Sequence, residues 1–199
     1  MADGELTRAA IAAQPEWLRQ VPTDRRFPDA LLLFTGCGTS FHAAQTGGEA
    51  VQALELVLRP ERDADLLVCV SHEGETRLTL EAARTWTGPM WLVTAAPNSP
   101  LAEVADEVVL AAPAIEESWC HTASYTAAVA TIAALRGEDV SWLPGAVEAA
   151  LAGPRLPASD HPRWLVAGAG RDWPSAQEAV LKLREGAYVA AEAYETEQL

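Results

Sequence analysis

Short apolar runs with no polar face, set between stretches of helical periodicity, constrain this chain more than any other feature. Leu31-Leu32-Leu33-Phe34, Leu66 to Val70, Met90 to Thr94 and Val108-Val109-Leu110 are such runs. A strand that is apolar on both faces has to be covered on both, as in a parallel sheet held between two helical layers. Leu54 to Leu58 reads as one more strand, divided from Leu66 by the charged turn Glu61-Arg62-Asp63. Helical patterns occupy 5–20, 40–53, 76–86, 121–136 and 144–152, with a short helix at 101–105 after the breakers Pro97-Asn98-Ser99-Pro100. Leu6, Ile11, Trp17 and Leu18 are the packing positions expected of the first helix.

This pattern predicts an α/β fold: a doubly wound, mostly parallel five-stranded sheet flanked by helices, flavodoxin-like, with strand order 2-1-3-4-5. The first and third strands are then neighbours from which the chain winds in opposite directions, and ligands bind above their carboxyl ends. A hydroxyl-rich loop follows each: Gly36-Cys37-Gly38-Thr39-Ser40 after the first and Ser71-His72-Glu73-Gly74-Glu75-Thr76 after the third. Loops at helix starts present backbone N–H groups and hydroxyls, a setting that suits an anion such as phosphate. Helix capping alone would explain either loop taken singly, because Ser and Thr are preferred there for structural reasons. Gly74 suits either a close backbone approach or a simple turn.

Composition removes several function classes. The 199 residues are 49% hydrophobic and 21% charged, as in an ordinary globular chain, and the net charge is −14. Without a basic stripe to neutralise phosphates, nucleic-acid binding is not expected. Cys37, Cys69 and Cys120 form no disulfide-style framework, and Asp3 and Glu5 stand where a secretory signal would be basic. No segment supplies the roughly 18 apolar residues of a membrane span. The expectation is a soluble cytoplasmic protein. Gly36-x-Gly38 lacks the third small residue of a dinucleotide fingerprint, with Phe41 in its place, and no Walker sequence occurs. His72, His121 and His161 match no zinc spacing, so neither metal nor cofactor is expected. No G-x-S-x-G elbow occurs, which counts against acyl transfer.

Thr35-Gly36-Cys37-Gly38 with Ala44-Gln45 is echoed by Ala167-Gly168-Ala169-Gly170 with Ala176-Gln177, at one offset of 132 residues (168 − 36 and 177 − 45). A breaker-rich linker runs from Gly153 to Pro162. The expected organisation is a first domain over 1–152 and, over 153–199, a linker and an incomplete second domain of one strand and one long helix. That helix has an expected core stripe of Ala176, Val180, Leu183, Ala187 and Ala190. Leu181, Glu185 and Tyr188 form another stripe, on which a carboxylate between an aliphatic and an aromatic group would be partly desolvated and suited to proton transfer. Lys182, one turn earlier, could hold a ligand or tune that carboxylate; an exposed Lys–Glu pair supporting the helix is the plain alternative.

Four stretches in this order, "GCGTS", "SHEGET", "ESWCHTASYT" and "EAVLKLREGAYVAAEAYETEQL", together with the opening "QPEWLRQV", resemble the sugar isomerase (SIS) domain family. The likeness is greatest to the isomerase half of glucosamine-6-phosphate synthase and its isomerase and deaminase relatives. The resemblance implies tandem domains of the fold above, commonly dimeric, with Ser40, Ser71 and Thr76 holding a sugar phosphate and Thr39 and Thr122 nearby. Gly38, His72, Glu73 and Gly74 complete the expected binding loops. Glu185 would match the base that moves a proton between C1 and C2, with Lys182 beside it. The family's ring-opening histidine belongs to a motif past the last residue here, and the synthase's glutaminase domain has no counterpart, so the chain is expected to be incomplete for catalysis.

Two departures stand out. Glu73 replaces a hydroxyl, and His121 and Ala123 replace the serine and lysine that flank Thr122 in the synthase motif. A carboxylate at position 73 would repel a phosphate or occupy the anion site itself. The expected function is binding of a sugar phosphate or amino-sugar phosphate, by a homodimer as the family resemblance implies, in aldose–ketose isomerase or amino-sugar deaminase chemistry. The alternative is a non-catalytic sugar-phosphate sensor or dimerisation module.

Overall fold

A computed structural model describes residues 4–154 and 161–199. Residues 155–160 of the expected linker, and Asp3, lie outside the described residues. The chain runs α1 (Glu5–Arg19), β1 (Leu32–Gly36), α2 (Thr39–Gln45), β2 (Ala50–Gln52), α3 (Ala53–Leu58), β3 (Leu66–Val70), α4 (Arg77–Thr85), β4 (Met90–Thr94) and β5 (Glu107–Leu110). It continues with α5 (Thr122–Leu135), α6 (Leu143–Ala152), β6 (Arg163–Gly168), α7 (Trp173–Ala187) and β7 (Ala190–Glu195).

The first five strands form one parallel sheet in the order β2-β1-β3-β4-β5, as the apolar runs predict. Every residue of the central strand β3 is buried, and its side chains divide between two cores. Val68 and Val70 join Phe34, Val93, Ile132 and Leu135 on one face of the sheet. Leu67 and Cys69 join Leu33, Leu56, Ala82 and Leu92 on the other. The alternation of β-strand side chains thus feeds two helical layers from one all-apolar run. Helix α1 adds a third cluster, in which Leu18 and Val21 meet Ala130, Ala134 and Val140. Ala10 and Pro15 are buried with Leu18, whereas Leu6, Ile11 and Trp17 are half-buried.

The second strand is not where periodicity places it. Residues 54–58 are helical, and β2 is the three-residue edge strand just before them. Helix α2 stops at Gln45, and Gly47 then packs so closely on Phe34 that a Cβ would lie 2.5 Å from its ring. Ala53 and Leu56, three apart, turn inward, while Leu54 and Leu58 stay exposed. A run such as Leu-Glu-Leu-Val-Leu satisfies either periodicity, and packing against α4 decides for helix. The expected helix at 101–105 is a series of turns, anchored where the Leu101 N–H donates to the Gly74 carbonyl at 3.1 Å.

The segment after the linker is strand–helix–strand rather than strand and helix. Helix α7 ends at Ala187, Tyr188 takes a left-handed conformation (φ 53), and β7 pairs in parallel with β6 over six residues. Ala190-Ala191-Glu192-Ala193 is helix-forming in composition, but the ladder to β6 satisfies its backbone and Ala191 is buried. The Arg184 Nε–H fastens the return by donating to the Ala191 carbonyl at 2.9 Å. Ala190 therefore belongs to the strand, and Ala187 is exposed.

At Gly36 the helix layer comes close to the sheet. A Cβ there would lie 2.9 Å from the Ser40 carbonyl carbon and 2.9 Å from the Val70 carbonyl oxygen, both backbone atoms. Gly36→Ala is expected to destabilise the protein by about 2 kcal/mol, the usual cost of overpacking, read as a lower urea midpoint.

Candidate functional site

Because β1 and β3 are paired neighbours, the loops that leave them open side by side above the sheet. They bound a cavity of about 280 Å³, close to the lower end of the range for small-molecule sites. Gly38, Thr39 and Ser40 line it from the first loop, and His72, Glu73 and Thr76 from the second. His121 and Ser124 close it from the start of α5, and Leu181 and Glu185 reach it from α7.

Four residues singled out in the sequence do not line this space. Ser71 is only 2% exposed, and its hydroxyl lies 3.5 Å from that of Thr76. Gly74 has φ 65, and a Cβ there would come within 1.9 Å of the Ser99 hydroxyl, so its glycine is explained by packing. Thr122 donates both its N–H (2.7 Å) and its hydroxyl (3.2 Å) to the Glu116 carboxylate. Lys182 sits behind the wall, holding the residues that form it.

The Lys182 ammonium donates to Glu185 Oε2 at 2.7 Å, to the Thr39 hydroxyl at 3.0 Å and to the Cys120 carbonyl, and lies 3.2 Å from Glu178 Oε1. Glu178 is 4% exposed; it accepts from the Thr39 hydroxyl at 3.1 Å and stands 2.7 Å from His42 Nδ1. A buried carboxylate needs such partners. Sequence reasoning missed it, although Glu178, Lys182 and Glu185, at i, i+4 and i+7, share one helical face and could have been read as a unit. Tyr188 does not flank Glu185 as the stripe suggests: it lies beyond the helix end and is 89% exposed.

Glu116, 5% exposed, caps α5 by accepting the Thr122 and Ser124 N–H groups, each at 2.7 Å, where the helix dipole favours negative charge. Its own N–H donates to His72 Nε2 at 2.7 Å. An accepting Nε2 means a neutral ring that carries its proton on Nδ1. Burial, and then the neighbouring His121, push the His72 pKa down to about 4, with Glu116 opposing. Trp17 stacks on the ring at a centroid distance of 6.4 Å, and His121 meets it edge-on at 5.6 Å.

His72 therefore links stability to pH. Its folded pKa is depressed below the unfolded 6.5, so between about pH 6.5 and 4 the unfolded chain binds the extra proton and stability falls as pH falls. The expected loss over that window is about 2–3 kcal/mol, allowing for partial solvent access. His72→Gln should flatten that part of a pH–stability profile relative to the parent; parallel profiles would refute the assignment.

Among the described residues no group of three or more His, Cys, Asp or Glu side chains is arranged to hold a metal ion, and no helix is long and apolar enough to cross a membrane. No family model matches the chain. It is 28% identical over 204 aligned residues to the glutamine–fructose-6-phosphate aminotransferase (isomerizing) of Pyrococcus horikoshii, covering 81% of this chain and 33% of that protein. The chain thus spans about a third of the curated relative it matches. Among solved structures, the C-terminal domain of the glucosamine-fructose-6-phosphate aminotransferase of Francisella tularensis superposes with a TM-score of 0.78 at 21% identity, over 100% of this chain and 72% of that one. The tagatose-6-phosphate ketose/aldose isomerase of Escherichia coli gives 0.77 at 19%, over 96% and 66% of the two chains. The glucosamine-6-phosphate deaminase of Thermotoga maritima gives 0.75 at 20%, over 98% and 71%. In strand order and overall path the chain has the fold of these phosphosugar isomerase domains, which is the fold that the likeness of its motifs to the SIS family implies.

Proposed function

We propose that the cavity binds a sugar phosphate or amino-sugar phosphate, and that Glu185 acts there as the base of aldose–ketose isomerase or amino-sugar deaminase chemistry. One observation carries the reading: α7 brings the carboxylate of Glu185, paired with Lys182, to the wall of the cavity made by the β1 and β3 loops. In an open-chain sugar the C–H beside the carbonyl is acidic enough for a carboxylate to remove when the developing enediolate is stabilised. Glu185 would take the proton from one carbon and return it to its neighbour, while the hydroxyl proton on the first carbon passes to the carbonyl oxygen of the second. The Lys182 ammonium fixes the carboxylate, and the Thr39 and Ser40 hydroxyls would hold the sugar. Ser71 and Thr122 act in this proposal from behind the wall, through Thr76 and Glu116.

We also propose that residues 153–199 form the opening of a second domain of the first one's kind. The parallel pair β6–β7 joined by α7 repeats the parallel pair β1–β2 joined by α2. Gly168 repeats Gly36, since a Cβ at Gly168 would meet the Asp172 carbonyl oxygen at 2.7 Å.

Calorimetry with fructose 6-phosphate and glucosamine 6-phosphate tests the binding claim. Binding of at least one is expected, weakened about fivefold by Ser40→Ala through loss of one hydrogen bond. If neither binds, the reading fails.

A further inference from the structure

The second loop is built differently from an anion cradle. Ser71, one of the hydroxyls that the family resemblance assigns to a phosphate, is turned inward against Thr76. His72 presents a neutral ring whose Nε2 is already taken by the Glu116 N–H. Glu73 lines the cavity with an exposed carboxylate. Glu185, the other carboxylate of the lining, is paired with Lys182 at 2.7 Å, an ammonium that it shares with Glu178. Glu73 has no ion pair or side-chain hydrogen bond among the described residues, and no lysine or arginine lines the cavity. A site with one uncompensated carboxylate and no cation favours a positively charged group and disfavours a second anion placed beside it.

We propose that Glu73 is a specificity residue that reads an ammonium group on the ligand, so that amino sugars are taken in preference to their hydroxyl counterparts, phosphorylated or not. The proposal rests on the reading of the cavity as a sugar-derivative site and narrows its substrate class. The amine donates hydrogen bonds to the Glu73 carboxylate, a charge-assisted contact that a neutral hydroxyl matches only in part. The same carboxylate accounts for the departure from the family motif at this position: the negative charge that opposes phosphate at the second loop serves an aminated ligand.

The test is calorimetry at about pH 6.5, below the usual α-amino pKa, with two matched pairs: glucosamine and glucose, and glucosamine 6-phosphate and glucose 6-phosphate. In the parent protein the aminated member of each pair is expected to bind about tenfold more tightly, the worth of one hydrogen bond between charged groups. In Glu73→Gln the ratio should fall toward one while glucose 6-phosphate binds more tightly. Unchanged thermal unfolding of this variant is the control for folding, since Glu73 is exposed. Phosphosugar binding with no amine preference, or a preference that survives Glu73→Gln, overturns the specificity claim and leaves the cavity reading standing. Failure of all four compounds to bind overturns both.

Discussion

Glu185→Gln is expected to slow exchange of the sugar C2 hydrogen with solvent by about 10²–10⁴-fold, the range that a positioned general base supplies. Its ligand affinity should change little. The measurement is loss of the C2 proton signal from glucosamine 6-phosphate or glucose 6-phosphate in deuterated water. Sugars open spontaneously in water, so exchange reads the base without any residue dedicated to ring opening. The amide is nearly isosteric with the carboxylate and keeps an acceptor for Lys182, which stands 2.7 Å away. Basicity and charge are therefore removed while the volume and an acceptor for Lys182 are kept. Exchange at the parent rate would show that Glu185 is not the base. A parent protein that binds the sugar but exchanges nothing would favour the sensor, the rival in which the same fold reports a ligand without transforming it.

Lys182→Met is expected to destabilise the protein by about 3–4 kcal/mol, as removal of one partner from a buried ion pair does. The methionine keeps the volume of the aliphatic stem but none of the four contacts. Glu178, with its side chain 5% exposed, would keep only His42 and Thr39, and Glu185 would lose its cation. The Cys120 carbonyl would also lose its donor. Urea unfolding gives the difference, and Glu178→Gln in the same background should recover part of it by neutralising the stranded carboxylate. A change under about 0.5 kcal/mol, the scale of an exposed pair, would mean that the network does not hold α7 against α2. The Lys–Glu pair would then be the surface helix support that periodicity alone allows.

The layout of the sheet was legible because burial leaves a mark on composition. Leu66 to Val70 carries no polar residue, so no arrangement that wets either face of that strand is available to it. From that and the neighbouring runs the strand order and the switch point follow, and with them the meeting of the two loops above β1 and β3. The edge of the sheet was not legible. Three residues of β2 and six of α3 come from a stretch whose periodicity fits both states, and only contact with Phe34 and α4 distinguishes them.

At the site the same division appears residue by residue. Gly38, Thr39, Ser40, His72, Glu73, Thr76 and Glu185 reach the cavity because each belongs to a loop or helix face that the topology aims there. Residue type and spacing determine which groups arrive at the carboxyl end of the sheet, since those depend on chain order and on burial of whole segments. Which way each group then points is settled by pairwise packing between elements distant in sequence. Ser71 turns to Thr76, Thr122 is engaged by Glu116, Gly74 yields to Ser99, and Glu178 is drawn under the wall by His42 and Lys182. Those contacts exist only once α2, α5 and α7 are assembled around the sheet, and they alone leave Glu73 as the uncompensated charge facing the ligand.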